Sequence, residues 1–185
     1  MGALRQAARV AALPWNQWQL SRGMGGRLRL ESVAGLVWNT HPEVGTKDGS
    51  YYIRGPIISG ASTRNDSNID HASIIILDCD SSFDADTGEI SEGAPPPSEV
   101  HKALISLEIN HCLYTTHSHG TDGKGHRYRV VIPTVTNGPG ELKGVLEWIF
   151  HRLVEQGVYL VNVKENRSWS QPWYFPRLAT PDSEY

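Results

Sequence analysis

The chain has 185 residues, of which 39% are hydrophobic and 20% charged, and its formal net charge is -3. This composition is typical of a globular domain and excludes a disordered or collagen-like chain. The small negative charge excludes a general attraction to nucleic acid, so such contacts have to come from a local cluster of Arg and Lys. No apolar run approaches the roughly 18 residues of a membrane span, so no membrane partner is expected.

The first part of the chain leads up to one strong strand prediction. Residues 4–13 predict a helix, and the segments "GLVWN" (35–39) and "SYYIRG" (50–55) predict short strands between glycine-rich turns. The run "HASIIILD" (71–78) predicts a longer strand, because its isoleucines are bounded by polar segments on both sides. A continuous apolar run is typical of a central, well-packed strand.

The second part of the chain alternates helices and strands. Ser98 is the candidate N-cap of the first helix. The glycine-rich turn "GTDGKG" predicts that the two strands on either side of it form a hairpin. This pattern predicts a single α+β domain over residues 1–185, with a sheet and helices packed on one face. The predicted elements are, in order, a helix, two strands, a helix and a strand, at residues 98–109, 111–119, 126–135, 141–156 and 158–163.

Two aspartates end the isoleucine strand. Because successive side chains of a strand point to opposite faces, Asp78 and Asp80 are expected to share one face. Two carboxylates that close repel each other unless a cation lies between them, and Mg²⁺ and Mn²⁺ prefer carboxylate oxygens. The alternative is that both residues form turn hydrogen bonds at the strand end. From these two residues alone, the sequence predicts a metal site or a turn equally well.

A second polar cluster follows in the segment "YTTHSHGTDGKGHRYRVVIP" (114–133). Strand alternation predicts that Thr116 and Ser118 share one face and that His117 and His119 share the other. Hydroxyls, imidazoles and forked guanidinium groups together suit a triphosphate, although alternate polar residues also mark a sheet face that meets solvent. The candidate ligands of this cluster are Thr116, His117, Ser118, His119, Lys124, Arg127 and Arg129.

The order of these motifs resembles a known family. A strand ending in "LDCD", a helix, "YTTHSH", a glycine-rich turn and "RYRVVIP" resemble the catalytic domain of archaeo-eukaryotic primases. The closer resemblance is to the phage and plasmid replication branch, which includes primase-polymerases, and the upstream "ASTRNDSNID" adds to it. The resemblance covers roughly residues 45–180. It implies an RRM-like antiparallel or mixed sheet that carries a primase-polymerase catalytic core.

The resemblance also implies roles for individual residues. Asp78 and Asp80 correspond to the first catalytic motif and are expected to bind two Mg²⁺ or Mn²⁺ ions. His119, with Ser118, corresponds to the second motif, which contacts the phosphates of the incoming nucleotide; His117 fits the same spacing and is its rival. Glu165 is the only acid in the region of the third motif and is the candidate further metal ligand.

Other residues are expected to contact phosphate or template. Arg127 and Arg129 follow the turn after the second motif, and the aromatic-proline stretch "SQPWYFPR" resembles the segment that follows the third. Its aromatic residues are expected either to stack on bases or to pack in the core. The remaining candidates for nucleic-acid binding are Arg64, Arg177, Trp173 and Tyr174.

The implied function is template-dependent nucleotidyl transfer by a DNA primase or polymerase. Its expected partners are single-stranded DNA, nucleoside triphosphates and a helicase in cis or in trans, in the cytoplasm of a prokaryotic host and encoded by a phage or plasmid. The chain is either complete or a piece of a longer replication protein.

Three other readings of the same motifs stay open. The first is a catalytically silent nucleic-acid-binding module. A paired-histidine rolling-circle endonuclease fits less well, because Ser118 replaces the bulky residue between its histidines and the helix at 141–156 has no tyrosine. A glycosyltransferase with the same D-x-D pattern fits less well too, because its domain is usually longer.

Overall fold

The computed structural model of the chain describes residues 43–44, 51–121 and 123–178. The chain divides into two compact units, Met1–Glu43 and Val44–Tyr185. The helix predicted at 4–13 and the strand predicted at 35–39 lie outside the described residues. A single domain over residues 1–185 therefore stays a prediction.

The described part of the chain contains β-strands, three α-helices and a 3-10 helix at Asp66–Asn68, and the four strand pairs of known register are antiparallel. The prediction of an α+β fold is confirmed at this level. The strands are β1 (Glu43–Val44), β2 (Tyr51–Tyr52), β3 (Ala72–Cys79), β4 (Ser81–Phe83), β5 (Ile90–Glu92), β6 (Cys112–Thr115), β7 (Tyr128–Thr136), β8 (Trp173–Tyr174) and β9 (Arg177–Leu178). The helices are α1 (Pro97–Ser106), α2 (Pro139–Glu155) and α3 (Lys164–Arg167).

The central sheet has the strand order β3–β7–β6, with β7 in the middle. The predicted hairpin is confirmed, because β6 pairs with β7 in antiparallel register. In that register Arg129 lies opposite Asp78 on one side and opposite Tyr114 on the other. The sheet therefore brings a cation of the second polar cluster directly beside the first aspartate.

The main core lies on one face of this sheet. Alternate residues of β3 and β7 are buried in a cluster with the apolar residues of α1 and α2. Each fully buried Leu or Ile contributes about 1.5–3 kcal/mol to stability. Because Leu77 and Cys79 lie in this cluster, Asp78 between them points to the opposite face. The central members of the cluster are Ile75, Leu77, Cys79, Val100, Leu104, Tyr128, Val130, Ile132, Leu142, Leu146 and Ile149.

Several element boundaries differ from the sequence prediction, and three of the differences matter here. Helix α1 begins at Pro97, so Ser98 lies inside it and is not its N-cap; proline suits the first turn because an N–H there has no helical partner. The predicted strand at 158–163 is wrong: its pairing is limited to an isolated bridge between Leu160 and Ser82, with one backbone hydrogen bond on either side of it. The strand at 50–55 shortens to β2.

After β2 the chain makes a close backbone approach at Gly55. A Cβ atom at this position would lie 1.7 Å from the backbone oxygen of His71. Only glycine allows this approach, through which the backbone oxygen of Arg54 accepts a hydrogen bond from the N–H of Ser73 at 2.8 Å. The contact fixes Arg54 against the beginning of β3. Within the described ranges, no helix is long and apolar enough to cross a membrane.

Candidate active site

A polar pocket of about 120 Å³ lies where β3 ends, and segments far apart in the sequence form its walls. Whole-ligand pockets are usually about 300–1,000 Å³, so this volume encloses a fragment such as a phosphate group rather than a whole nucleotide. The side chains that line it belong to Asp78, Asp80, Thr116, His117, Ser118, Arg127, Arg129, Tyr174, Phe175 and Arg177.

One side of the pocket, formed by Asp78, Arg129 and Tyr174, is here called the inner wall, and the buried Trp173 packs against its Arg129. The Nε of Arg129 donates to Oδ1 of Asp78 at 3.0 Å, and its Nη1 donates to the backbone oxygen of Tyr174 at 3.0 Å. The Arg129 guanidinium also lies 5.2 Å from the ring centre of Trp173. Burial raises the pKa of Asp78 above its ordinary value of 3.8, and the Arg129 charge offsets only part of this rise.

Two residues that the sequence analysis missed support the inner wall from behind. Asn166 accepts the backbone N–H of Asp78 through its Oδ1 at 2.8 Å. Arg54, only 1% exposed, donates through Nη2 to the backbone oxygen of Asn166 at 2.6 Å and lies 5.2 Å from the Trp173 ring centre. Burial lowers the pKa of Arg54 to about 10. No motif marks either residue, since a lone Arg or Asn carries no periodic signal.

A second side of the pocket, formed by Asp80 and Arg127, is here called the outer wall, and Glu92, outside the lining, contacts its Arg127. Arg127 contacts Oδ2 of Asp80 through Nη1 and Oε2 of Glu92 through Nη2, both at 3.5 Å. These distances exceed the usual 2.7–2.9 Å of a charge-assisted hydrogen bond. The Asp80 charge also raises the pKa of Asp78, which indicates that the two carboxylates interact. Both aspartates line one pocket, as the alternation of side chains predicted.

The second polar cluster is placed differently from the prediction. Strand β6 ends at Thr115 and a turn follows, so the alternation expected over 116–119 does not hold. Thr116, His117 and Ser118 all line the pocket. His119 is not among the lining residues; its Nδ1 lies 3.0 Å from both the backbone N and the backbone O of Arg127. The structure thus brings the rival histidine, His117, to the carboxylates.

Three other predicted residues do not line the pocket. Lys124 is exposed in the turn before β7. Glu165 lies on α3 with its carboxylate 3.9 Å from the Nζ of Lys164, although its charge raises the pKa of Asp78. Arg64 donates through Nη1 to the backbone oxygen of Ser170, and its guanidinium lies 5.9 Å from the ring centre of Tyr51.

The aromatic segment divides between core and pocket. Trp173 is 1% exposed, so the prediction that it stacks on bases is wrong. The alternative prediction, that it packs in the core, is confirmed. Tyr174, Arg177 and Phe175 line the pocket. Phe175 was not singled out, although it belongs to the "SQPWYFPR" stretch; its ring centre lies 5.2 Å from that of Tyr52.

The donor chemistry of the pocket fits a hard divalent cation. Asp78 and Asp80 offer carboxylate oxygens, and Mg²⁺ typically takes one or two carboxylates and completes its shell with water and substrate phosphate. Among the residues that the structure describes, no group of three or more His, Cys, Asp or Glu side chains is arranged to hold a metal ion. No protein-family model, curated protein or solved structure matches the chain. The resemblance to archaeo-eukaryotic primases therefore stays a prediction.

Proposed function

We propose that the chain is a template-dependent nucleotidyltransferase, a DNA primase-polymerase that makes or extends primers on single-stranded DNA with two divalent cations. The observation that carries the proposal is the convergence in one pocket of two carboxylates with the groups that bind phosphate. Asp78 and Asp80 line it together with Arg127, Arg129 and Arg177. Carboxylates alone suit a cation and arginines alone suit phosphate, whereas the two together suit a metal-bound triphosphate.

The pocket holds only part of the proposed nucleotide substrate. Its volume of about 120 Å³ suits the phosphates, which His117 and Ser118 contact as hydrogen-bond donors, while Arg177 contacts a phosphate of the template strand. The base and sugar lie outside the enclosed volume, next to the rings of Tyr174 and Phe175. Base selection then comes from pairing with the template strand, while the protein holds the phosphates and the 3′-hydroxyl in line.

Asp78 and Asp80 would hold Mg²⁺ or Mn²⁺. When bound, such cations neutralise charge on the attacking and leaving oxygens of an in-line displacement. The chain itself fixes Asp78 through Arg129 and Asn166, which limits the motion of that carboxylate. In the proposed reaction the 3′-oxygen of the primer bonds to the α-phosphorus, and pyrophosphate leaves. Single-stranded DNA and nucleoside triphosphates are the proposed partners, with a helicase in cis or in trans.

The proposal is tested by incubating the chain with single-stranded template, labelled deoxy- or ribonucleotides and Mn²⁺ or Mg²⁺. We expect labelled primers, or extension of a supplied primer. Asp78→Asn and Asp80→Asn are each expected to lower incorporation about 100- to 1,000-fold, which corresponds to several kcal/mol of lost charge stabilisation. Asp86→Asn is the matched control, because Asp86 is an exposed aspartate outside the pocket.

A second candidate is the catalytically silent nucleic-acid-binding module. It is favoured by the ion pairs in the pocket, because Arg129 and Arg127 already neutralise the two aspartates. This candidate predicts binding of single-stranded DNA without incorporation in either metal and with either class of nucleotide. Incorporation that survives both aspartate substitutions would contradict the enzyme proposal as well.

A further inference from the structure

Two histidines face each other away from the pocket. His101 lies on α1 and His111 lies immediately before β6. The Nδ1 of His101 is 2.9 Å from the Nε2 of His111, and the ring centres are 5.0 Å apart. The ring of His101 is exposed and that of His111 is partly buried, so the pair is open to solutes. Neither residue lines the pocket.

The proton positions of this pair follow from its partners. A backbone carbonyl oxygen only accepts, and the Nδ1 of His111 lies 2.8 Å from the backbone oxygen of Ile109, so that nitrogen carries the proton. The Nε2 of His111 therefore presents its lone pair to His101. In the neutral pair, His101 donates its Nδ1 proton to that lone pair.

We propose that His101 and His111 form a binding site for a divalent transition metal of the Zn²⁺, Ni²⁺ or Cu²⁺ class. On binding, the proton of His101 moves from Nδ1 to Nε2, so that the two facing nitrogens both offer lone pairs to the metal. No proton is lost from the neutral pair, and water completes the coordination shell. Imidazole ligands suit these metals, whereas the carboxylates of the pocket suit Mg²⁺ or Mn²⁺.

The geometry needs a local rearrangement of two rings. Two nitrogens at about 2.0–2.1 Å from a tetrahedral Zn²⁺ lie about 3.3 Å apart, so the present 2.9 Å has to widen by about 0.4 Å. Each ring also has to rotate by roughly 35°, because the lone pairs of two tetrahedral ligands converge on the metal instead of pointing along the line between the nitrogens. The hydrogen bond from His111 to the Ile109 carbonyl is the outer contact that metal-binding histidines usually have, and it fixes both the tautomer and the ring direction.

The consequence for the fold is a clamp between α1 and β6. His101 and His111 lie on either side of the turn that connects these elements, in which Glu108 has a backbone φ of 57°. A metal that binds the folded chain and not the unfolded one raises stability by mass action. Because β6 leads directly to Thr116 in the pocket, the clamp steadies the strand that carries the polar turn. The inference does not depend on the proposed function.

The experiment uses chain without a histidine tag and adds Zn²⁺ or Ni²⁺ alone. In an Asp78→Asn, Asp80→Asn background, which lacks the pocket carboxylates, calorimetry is expected to give one bound ion per chain, and adding either His101→Ala or His111→Ala is expected to weaken binding at least tenfold. His71→Ala is the matched control, since it removes one surface imidazole elsewhere. The rise in Tm on adding Zn²⁺ is expected to disappear in both pair variants.

Imidazole NMR on the unaltered chain keeps the test independent of how the variants fold. Added Zn²⁺ is expected to shift the ring signals of His101 and His111 before those of the other histidines. Equal shifts of all histidines, or no binding at metal concentrations that occupy the pocket, would overturn the inference. So would Zn²⁺ binding of unchanged affinity in both pair variants.

Discussion

The inner and outer walls hold one aspartate each, yet they hold it in different ways. Asp78 and its partner Arg129 are 18% and 14% exposed, their contact is 3.0 Å, and the backbone of Asp78 is bonded as well. Asp80 is 32% exposed, and Arg127 divides its charge between Asp80 and Glu92 at 3.5 Å. The inner wall is a fixed, buried arrangement, and the outer wall is a loose one near solvent.

Two aspartates of one motif therefore need not have the same role. A buried carboxylate without its cation is costly, and a buried cation without its carboxylate equally so. An exposed pair contributes little because water already screens it. We infer that Asp78 supports the folded state of the metal-free chain, while Asp80 is held less firmly and is the more mobile of the two proposed metal ligands.

The greatest difference between the walls is expected in stability. Asp78→Ala leaves Arg129 buried without its carboxylate and is expected to lower the free energy of unfolding by about 2–4 kcal/mol. Asp80→Ala is expected to lower it by less than about 1 kcal/mol. Urea denaturation of metal-free chain measures both. Repulsion between the two carboxylates, considered alone, predicts no loss in either variant; the ion pair with Arg129 reverses that expectation for Asp78.

Asp78→Asn tests the distinction between the walls more finely, since its amide oxygen keeps an acceptor for the Nε of Arg129. The free energy of unfolding of Asp78→Asn is expected to lie between those of the wild type and Asp78→Ala. Equal stability of the two alanine variants would contradict the distinction.

An intermediate effect is expected on pH dependence. Because burial raises the pKa of Asp78, its carboxylate becomes protonated at a higher pH than an ordinary aspartate. In the metal-free chain the Asp78 carboxyl is therefore expected to titrate with a midpoint above pH 3.8. Titration of the aspartate carboxyl carbons by NMR measures this midpoint. An Asp78 midpoint at or below 3.8 would contradict the prediction.

The raised pKa of Asp78 also makes the free energy of unfolding depend on pH. Above pH 3.8 and below its raised pKa, Asp78 holds its proton more readily in the folded chain than in the unfolded one. Within that window the free energy of unfolding therefore decreases as pH rises, and it becomes flat above the folded pKa. Denaturation curves of the wild type and Asp78→Asn at several pH values check the sign, because the variant lacks this contribution.

The weakest effect concerns the salt dependence of binding to single-stranded DNA. Each neutralised phosphate contributes a slope of about -0.7 to the logarithm of affinity against the logarithm of salt. Arg177→Met is expected to make the slope less negative by about 0.7, because Arg177 lines the pocket. Lys143→Met is the control, as Lys143 is an exposed cation on α2 that pairs with Glu147. An unchanged slope in Arg177→Met would remove this residue from the contact.

Much of the fold could be predicted from local patterns. The isoleucine run became β3, the apolar stripes became α1 and α2, and a glycine-rich turn between two strand patterns became the β6–β7 hairpin. Each of these signals is short-range and periodic, and the core simply unites their apolar faces. The alternation of side chains along β3 also placed Asp78 and Asp80 correctly in one pocket.

The choice between His117 and His119 shows where such reasoning ends. Both fit the motif spacing, and only the end of β6 at Thr115 decides which imidazole reaches the carboxylates. The strand end depends on how far β7 extends beside it, which is a property of the pairing and not of the segment.

Local sequence was enough to predict the two polar clusters, the strand that ends in aspartates and the hairpin that carries the arginines. Which of these groups meet depended on the tertiary structure. Asn166, 88 residues after Asp78, accepts the backbone N–H of Asp78 through its side-chain amide oxygen. Arg54, 24 residues before Asp78, donates to the backbone oxygen of Asn166. Arg54 and Arg129, the partner of Asp78, both lie near the ring of Trp173. Such contacts depend on long-range packing, because a buried polar group is stabilised by a hydrogen-bond partner that any part of the folded chain can supply.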